Sequence, residues 1–185
     1  IEVAADIFVQ DIASEHYTHP LVHALPAVSA PLAELAKAAS LLQQGSRVTL
    51  FCGIGCRAAK VDVLALAEKL GAPIAHTLRA LDIFSYDDGP VVGLTGHIGN
   101  PAGLHAVNDC DVLLMLGTDF PYSEFLPEGR PIIQVDNNVD HIGRRAPVTL
   151  GLVGDVGETV RALLPLLGNE QKSVKFRDHL VHLRQ

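Results

Sequence analysis

"RVTLFCGIGCRAAKVDVLALAEKLGAPIAHT", residues 47–77, decides the fold. It opens on a compact apolar run, RVTLF, rich in β-forming residues and suited to a strand buried on both faces. A glycine-bearing loop follows. Val63, Leu66, Ala67 and Leu70 then recur at the three- and four-residue spacing that lines up one face of a helix. Gly71 and Pro73 end that helix, and residues 73–77 read as a second strand. The three pieces make one βαβ unit, whose crossover leaves its strands parallel.

The same pattern extends in both directions. Upstream, Leu32, Leu35, Ala36 and Ala39 predict a helix that Gly45 stops. Downstream, the spacing predicts a helix over 101–109, strands over 111–116, 131–136 and 149–153, and a helix carried by Val156, Val160, Leu163, Leu164 and Leu167. Asp155, with Glu158 three residues on, gives that helix an N-cap and a capping-box signal. The expected fold class is α/β, doubly wound, with helices above and below a parallel sheet. Residues 11–31 carry three prolines and three histidines (His16, His19 and His23) without periodicity. Residues 1–29 are therefore expected to be an extended lead-in linker, 30–168 the folded domain and 169–185 a C-terminal linker helix. Phe176, Leu180 and Leu183 give that last helix a weak apolar stripe, suited to docking on a neighbour.

Composition narrows the partners. The 185-residue chain has 21 acidic against 14 basic residues, a net charge of −7, with no run of lysine or arginine. Nucleic acid and anionic membrane thus lack a basic patch to bind. No window approaches the roughly 18 apolar residues of a spanning helix, and the acid-bearing start does not fit a signal peptide. Three cysteines make no disulfide framework, which points to a reducing cytoplasm. The chain lacks an initiating methionine and reads as a domain excised from a larger protein.

In an open parallel sheet, ligands bind beyond the carboxyl ends of the strands. After the first strand, Gly53, Gly55 and Ala58 spell the G-x-G-x-x-A of a dinucleotide fingerprint. After the second, an NAD site would place an acid for the ribose; the chain offers Arg79, suited to a phosphate or an electron-rich ring. A third loop brings Gly93, Gly96 and Gly99 together with Thr95 and His97. The segment 117–122 leaves the next strand, and Asp136 ends the one after. A carboxylate accepts hydrogen bonds without donating them, so Asp136 is the candidate for a ribose diol. Asp155 is a second such acid, although capping its own helix explains it more simply. Cys52 and Cys56 lack C-x-x-C spacing and read as inert core thiols. His105 falls in a helix and reads as a surface or structural residue.

These residues carry a resemblance. "TGHIGNPAGLHAVNDCDVLLMLGTDFPYSEFLP", "RPIIQVDNN" and "LGLVGDVGETVRALLPLL" resemble the central domain of thiamine-diphosphate enzymes of the pyruvate oxidase (quinone-dependent pyruvate dehydrogenase) group. "FCGIGCRAA" and "HTLRALDIFSYD" fit the same template, and the similarity runs from about Ala30 to Leu167. The resemblance implies a Rossmann-like sheet of six parallel strands holding FAD. Gly53 and Gly55 would then lie under the pyrophosphate, with Arg79 toward the flavin or phosphates. Thr95, Gly96, His97 and Ile98 would line the ribityl side. Thr118, Asp119, Phe120, Pro121 and Tyr122 would form the next wall, with Asp136 at the adenosine end and Asp155 nearby.

The resemblance further implies flanking pyrimidine- and diphosphate-binding domains that carry thiamine diphosphate and Mg2+, and a full-length homo-oligomer, a tetramer. That enzyme would decarboxylate pyruvate oxidatively, passing electrons through FAD to a quinone or oxygen. The family's diphosphate-binding G-D-G followed by N-N is missing here, as is the catalytic glutamate. The fragment alone would therefore be non-catalytic. Two other readings stand beside this one: a scaffold or structural-flavin domain of an acetolactate synthase-like or decarboxylase enzyme, and a free-standing NAD(P)-binding Rossmann protein in which Arg79 reads a 2′-phosphate.

Overall fold

The computed structural model describes residues 6–7, 9–11, 26–169 and 172–184. Most of the expected lead-in linker, with His16, His19 and His23, lies outside these residues. Six strands, β1 (Val48–Cys52), β2 (Ile74–His76), β3 (Val91–Leu94), β4 (Val112–Leu116), β5 (Ile132–Asp136) and β6 (Leu150–Val153), form one sheet in the order β3-β2-β1-β4-β5-β6. Every neighbouring pair is parallel. The order reverses between β1 and β4, so the connections leave a crevice at the carboxyl edge there.

Among the described residues, five α-helices cover the sheet: α1 (Leu32–Gln44), α2 (Lys60–Leu70), α3 (Pro101–Asn108), α4 (Val156–Leu163) and α5 (Lys175–Leu183). Along β1 and β4 the side chains alternate between two apolar clusters. Val48, Leu50, Val112, Leu114 and Leu116 pack with α1, α2 and α4, whereas Phe51, Leu113 and Met115 pack with α3 and α5. Both faces are dry, which is why these strands are apolar throughout. Each fully buried leucine or valine contributes about 1.5–3 kcal/mol. Thr49, the polar residue of β1, is buried and donates its hydroxyl to the Ala106 carbonyl of α3 at 2.6 Å.

Four features differ from the sequence expectations. The helix at α1 buries Leu35, Ala38, Ala39 and Leu42, leaving Leu32 and Ala36 exposed, so its apolar stripe is rotated from the expected one. Strand β3 was not apparent as a separate run, and Gly93, read as a loop residue, lies inside it with φ +119°. There the Asn100 side chain fills the space a Cβ would need, 2.6 Å away, while accepting from the Gly103 N–H and capping α3. Asp155 caps α4 by accepting from the Glu158 N–H at 3.0 Å, but the Glu158 carboxylate bonds Arg161 and does not complete a capping box.

The fourth difference concerns the tail. Helix α5 docks on its own domain, with Leu180 1% exposed in the cluster beneath α3. Polar ties reinforce it. Lys172 donates to the Leu42 and Gly45 carbonyls at the end of α1. Arg177 pairs with Glu68 at 2.9 Å, and Arg184 donates to the Tyr86 carbonyl at 2.9 Å and to that of Val91 on the edge strand. Among the described residues no helix is long and apolar enough to cross a membrane.

Candidate functional site

The loops leaving the six strands enclose a cavity of about 730 Å³ along the carboxyl edge of the sheet. It runs from Ile54 and Gly55 past residues 77–79, 94–98 and 117–122 to Asp136 and His141, and is closed by Gly154, Asp155 and Val156. The expected residues 95–98 and 118–122, with Gly55, Arg79, Asp136 and Asp155, all border it; Gly53 does not. Gly53 is buried, and a Cβ there would stand 2.3 Å from the Gly117 carbonyl oxygen and 2.5 Å from Thr118 Cβ. Its lack of a side chain serves the junction of the β1 and β4 loops, not direct contact with a ligand. Gly117, at φ +57° with Gly55 Cα 2.5 Å from its missing Cβ, is the other half of that junction.

The wall from β3 and β4 is aromatic. Phe120 packs edge-on against Phe51 of the core at 5.0 Å, and Tyr122 against Phe120 at 5.4 Å. The His97 ring meets Tyr122 edge-on at 4.7 Å and Phe125 at 5.1 Å, with Nε2 3.5 Å from the Glu124 carboxylate. Gly96 takes φ +110°, and a Cβ there would reach within 3.3 Å of Phe120. Thr95 is 3% exposed, and its hydroxyl has no hydrogen-bond partner among the described residues. An unpaired buried hydroxyl costs about 1–3 kcal/mol, so this atom is suited to meeting a ligand.

At the far end, Asp136 is buried at the tip of β5. Its Oδ1 accepts from the Asn138 N–H at 2.9 Å and lies 3.2 Å from His141 Nδ1. Gln134, buried on the same strand, donates to the carbonyls of Thr118 (3.3 Å) and His141 (3.0 Å) and accepts from the Gly143 N–H (2.9 Å). Gln134 thus fixes the turn after β5 to the loop after β4. Asp119 reinforces that connection through a two-point pair with Arg145, at 2.8 and 2.9 Å, and a longer contact to Arg144. The Arg145 hydrogen bonds hold the Asp119 carboxyl below its ordinary pKa. Asp119 therefore borders the cavity with its charge already engaged. Arg79 is the sole lysine or arginine among the lining residues. Sequence reading missed His141, Gln134 and Arg145; a polar turn following Asp136 was the available signal.

Asp82 and the remaining candidates, His105 and the cysteines, fall outside the cavity. Asp82, the acid nearest the end of β2, is exposed and pairs with Arg57 at 2.9 Å. His105 pairs with Asp109 on the surface of α3. Cys52, Cys56 and Cys110 are all buried and form no disulfide. Burial pushes the Cys110 thiol up to about 12 and raises that of Cys52 well above its ordinary value, keeping both protonated and unreactive.

This sheet order and carboxyl-edge cavity occur together with a sequence match. Residues 35–163 match the family described as thiamine pyrophosphate enzyme, central domain. The chain belongs to that family. Among relatives of this central domain, a putative thiamine pyrophosphate-containing protein, YdaP, of Bacillus subtilis (strain 168) is 35% identical over 88% of the chain and 28% of its own length. A sulfoacetaldehyde acetyltransferase of Rhodobacter capsulatus is 34% identical over 78% of the chain and 26% of its own length. A probable acetolactate synthase large subunit of Methanocaldococcus jannaschii is 31% identical over 90% and 30%. The chain spans two-fifths or less of the length of the curated relatives it matches.

Proposed function

We propose that the cavity of this central domain holds FAD, and that the full-length protein is a thiamine-diphosphate-dependent oxidoreductase of the pyruvate oxidase type. The observation that carries the FAD reading is the single groove joining Gly55 to Asp136, with the unpartnered Thr95 hydroxyl along it and a buried carboxylate at its end. Its volume falls within the roughly 300–1,000 Å³ of small-molecule sites, and its length across all six strand ends suits an elongated dinucleotide. The residues present fit the group. Asp136 accepts hydrogen bonds from ribose hydroxyls, Arg79 offsets diphosphate charge, and Gly96 lets the main chain approach closely. Thr95 supplies a hydroxyl to the polar middle of the ligand, and the edge-on His97 and Tyr122 rings add aromatic surface to the wall.

Held by Asp136, Arg79, Thr95 and the Gly96 main chain, FAD would supply two-electron acceptor chemistry to the full-length protein. This domain's own residues bind and orient it and exclude water around it. Thiamine diphosphate and Mg2+ belong in this reading to flanking pyrimidine- and diphosphate-binding domains. The NAD form of the dinucleotide reading loses ground because the acid nearest the end of β2, Asp82, pairs with Arg57 outside the cavity, and a free-standing NADP-binding protein because residues 35–163 match the central domain of thiamine pyrophosphate enzymes. A second reading, an acetolactate synthase-like or acetyl-transferring enzyme whose flavin is structural, is favoured by the names of two relatives.

Purified full-length protein tests these readings directly. A ligand at about 100 times its Kd adds roughly 2.7 kcal/mol of stability, so FAD is expected to raise the melting temperature and NADP to leave it unchanged. Anaerobic addition of pyruvate with thiamine diphosphate and Mg2+ is then expected to bleach the yellow absorbance of bound flavin. Binding of FAD without bleaching supports the acyl-transferring reading; stabilisation by NADP but not FAD overturns both.

A further inference from the structure

The geometry points to His141 as a second contact for the nucleoside diol, a hydrogen-bond donor paired with the acceptor Asp136. This inference rests on the FAD reading of the cavity. Two contacts set the tautomer of the ring. Asn138 Oδ1 accepts from the Asp140 N–H at 3.0 Å, which fixes the orientation of the Asn138 amide. Its Nδ2 therefore faces His141 Nε2, 3.2 Å away, and donates to it. A ring nitrogen that accepts carries no hydrogen, so the ring proton resides on Nδ1.

That N–H lies in a cavity-lining residue yet lacks a well-aligned partner. The nitrogen is buried, and Asp136 Oδ1 at 3.2 Å is off the line of a good hydrogen bond and already accepts from Asn138. A buried donor left in this condition is costly. A ribose hydroxyl resolves the mismatch, because it both donates and accepts. Its hydrogen goes to the Asp136 carboxylate, and its oxygen receives the His141 Nδ1–H. Carboxylate and imidazole together recognise a hydroxyl more fully than a carboxylate alone, which can only accept. Gln134, by holding the His141 carbonyl and the Gly143 N–H, fixes the turn before any ligand arrives.

The test compares ADP with 2′,3′-dideoxy-ADP as competitors for FAD on the full-length protein. The wild type is expected to prefer ADP. In His141→Ala this preference should fall about fivefold to tenfold, the value of one such hydrogen bond. His141→Asn, which places an amide N–H near the Nδ1 position, should restore part of it. A residue that merely shapes the turn would weaken both competitors equally. An unchanged ADP preference in His141→Ala, or a wild type that binds FAD without discriminating the two nucleotides, overturns the inference while leaving the FAD reading intact. A wild type that binds no FAD sinks the reading of the cavity itself.

Discussion

Two glycine-bearing regions sit a few residues beyond strand ends, carry similar sequence signatures and serve opposite purposes. At the β1/β4 junction, Gly53, Gly55 and Gly117 lack side chains because main chain packs on main chain; a Cβ on Gly53 or Gly117 would lie within 2.5 Å of the opposing loop. In the β3 loop, a Cβ on Gly96 would meet only the rims of Phe120 and Tyr122, and its neighbour Thr95 keeps a buried, unpaired hydroxyl. The first region closes the sheet edge and the second opens it. A glycine motif after a strand thus reports close approach, and only the contacts identify what approaches.

The sharpest way to break this comparison is an alanine in each region. Gly53→Ala forces a Cβ against the Gly117 carbonyl and is expected to cost about 3 kcal/mol, on the scale of overpacked cores. The urea midpoint should fall without a change in slope. Gly96→Ala meets looser surroundings but an unfavourable positive φ, at about 1–2 kcal/mol. It should, however, impair FAD binding out of proportion to its stability loss. The reverse ranking of the two stability effects would show that the junction yields more readily than its distances imply.

Two polar substitutions sharpen the open side. Asp136→Asn keeps an oxygen for the Asn138 N–H while removing the charge. Hydrogen bonds to charged groups contribute about 1.5–3 kcal/mol, so the Kd for FAD should rise about tenfold to a hundredfold. FMN, which lacks the adenosine, should change less than about twofold; equal losses for both flavins would remove the ribose from this end. Thr95→Val should act in two directions. Removing an unpaired buried hydroxyl is expected to stabilise the ligand-free protein by about 1 kcal/mol while weakening FAD severalfold. A destabilised ligand-free protein would mean that the hydroxyl already has a partner.

Legibility in the sequence follows the range of the forces involved. Strands β1, β4 and β5 were readable because burial on both faces leaves compact apolar runs. Strand β3 was not, since VVGL is short and its glycine mimics a loop. The stripe of α1 is out of phase with the expected one because its alanines fit either the buried or the exposed face, whereas in α2 the expected Val63, Leu66, Ala67 and Leu70 are the residues that the helix buries. Site residues on strand-end loops were legible through glycine, threonine and a lone acid. His141, Gln134 and Arg145 were not, because their roles arise from contacts between separate loops that no local spacing encodes.

The Asp119–Arg145 pair ties the closed junction to the far end of the cavity, since Asp119 follows the junction and Arg145 belongs to the segment after β5 that also carries His141. Hydrogen bonds from Arg145 are the largest cause of the lowered Asp119 pKa, working against a smaller upward push from burial. A carboxylate with a folded pKa below its unfolded value of about 3.9 stabilises the protein above that value and loses the contribution as pH falls through the folded pKa. Arg145→Ala should therefore lower the denaturation midpoint slightly at neutral pH. The gap from wild type should persist down to about pH 5 and shrink below about pH 4 as Asp119 takes up its proton. Added salt should narrow the neutral-pH gap, because the arginine is partly exposed. A gap that stays constant through the acid range would assign the loss to packing of the arginine stem, and the link between the two loops would then owe little to charge.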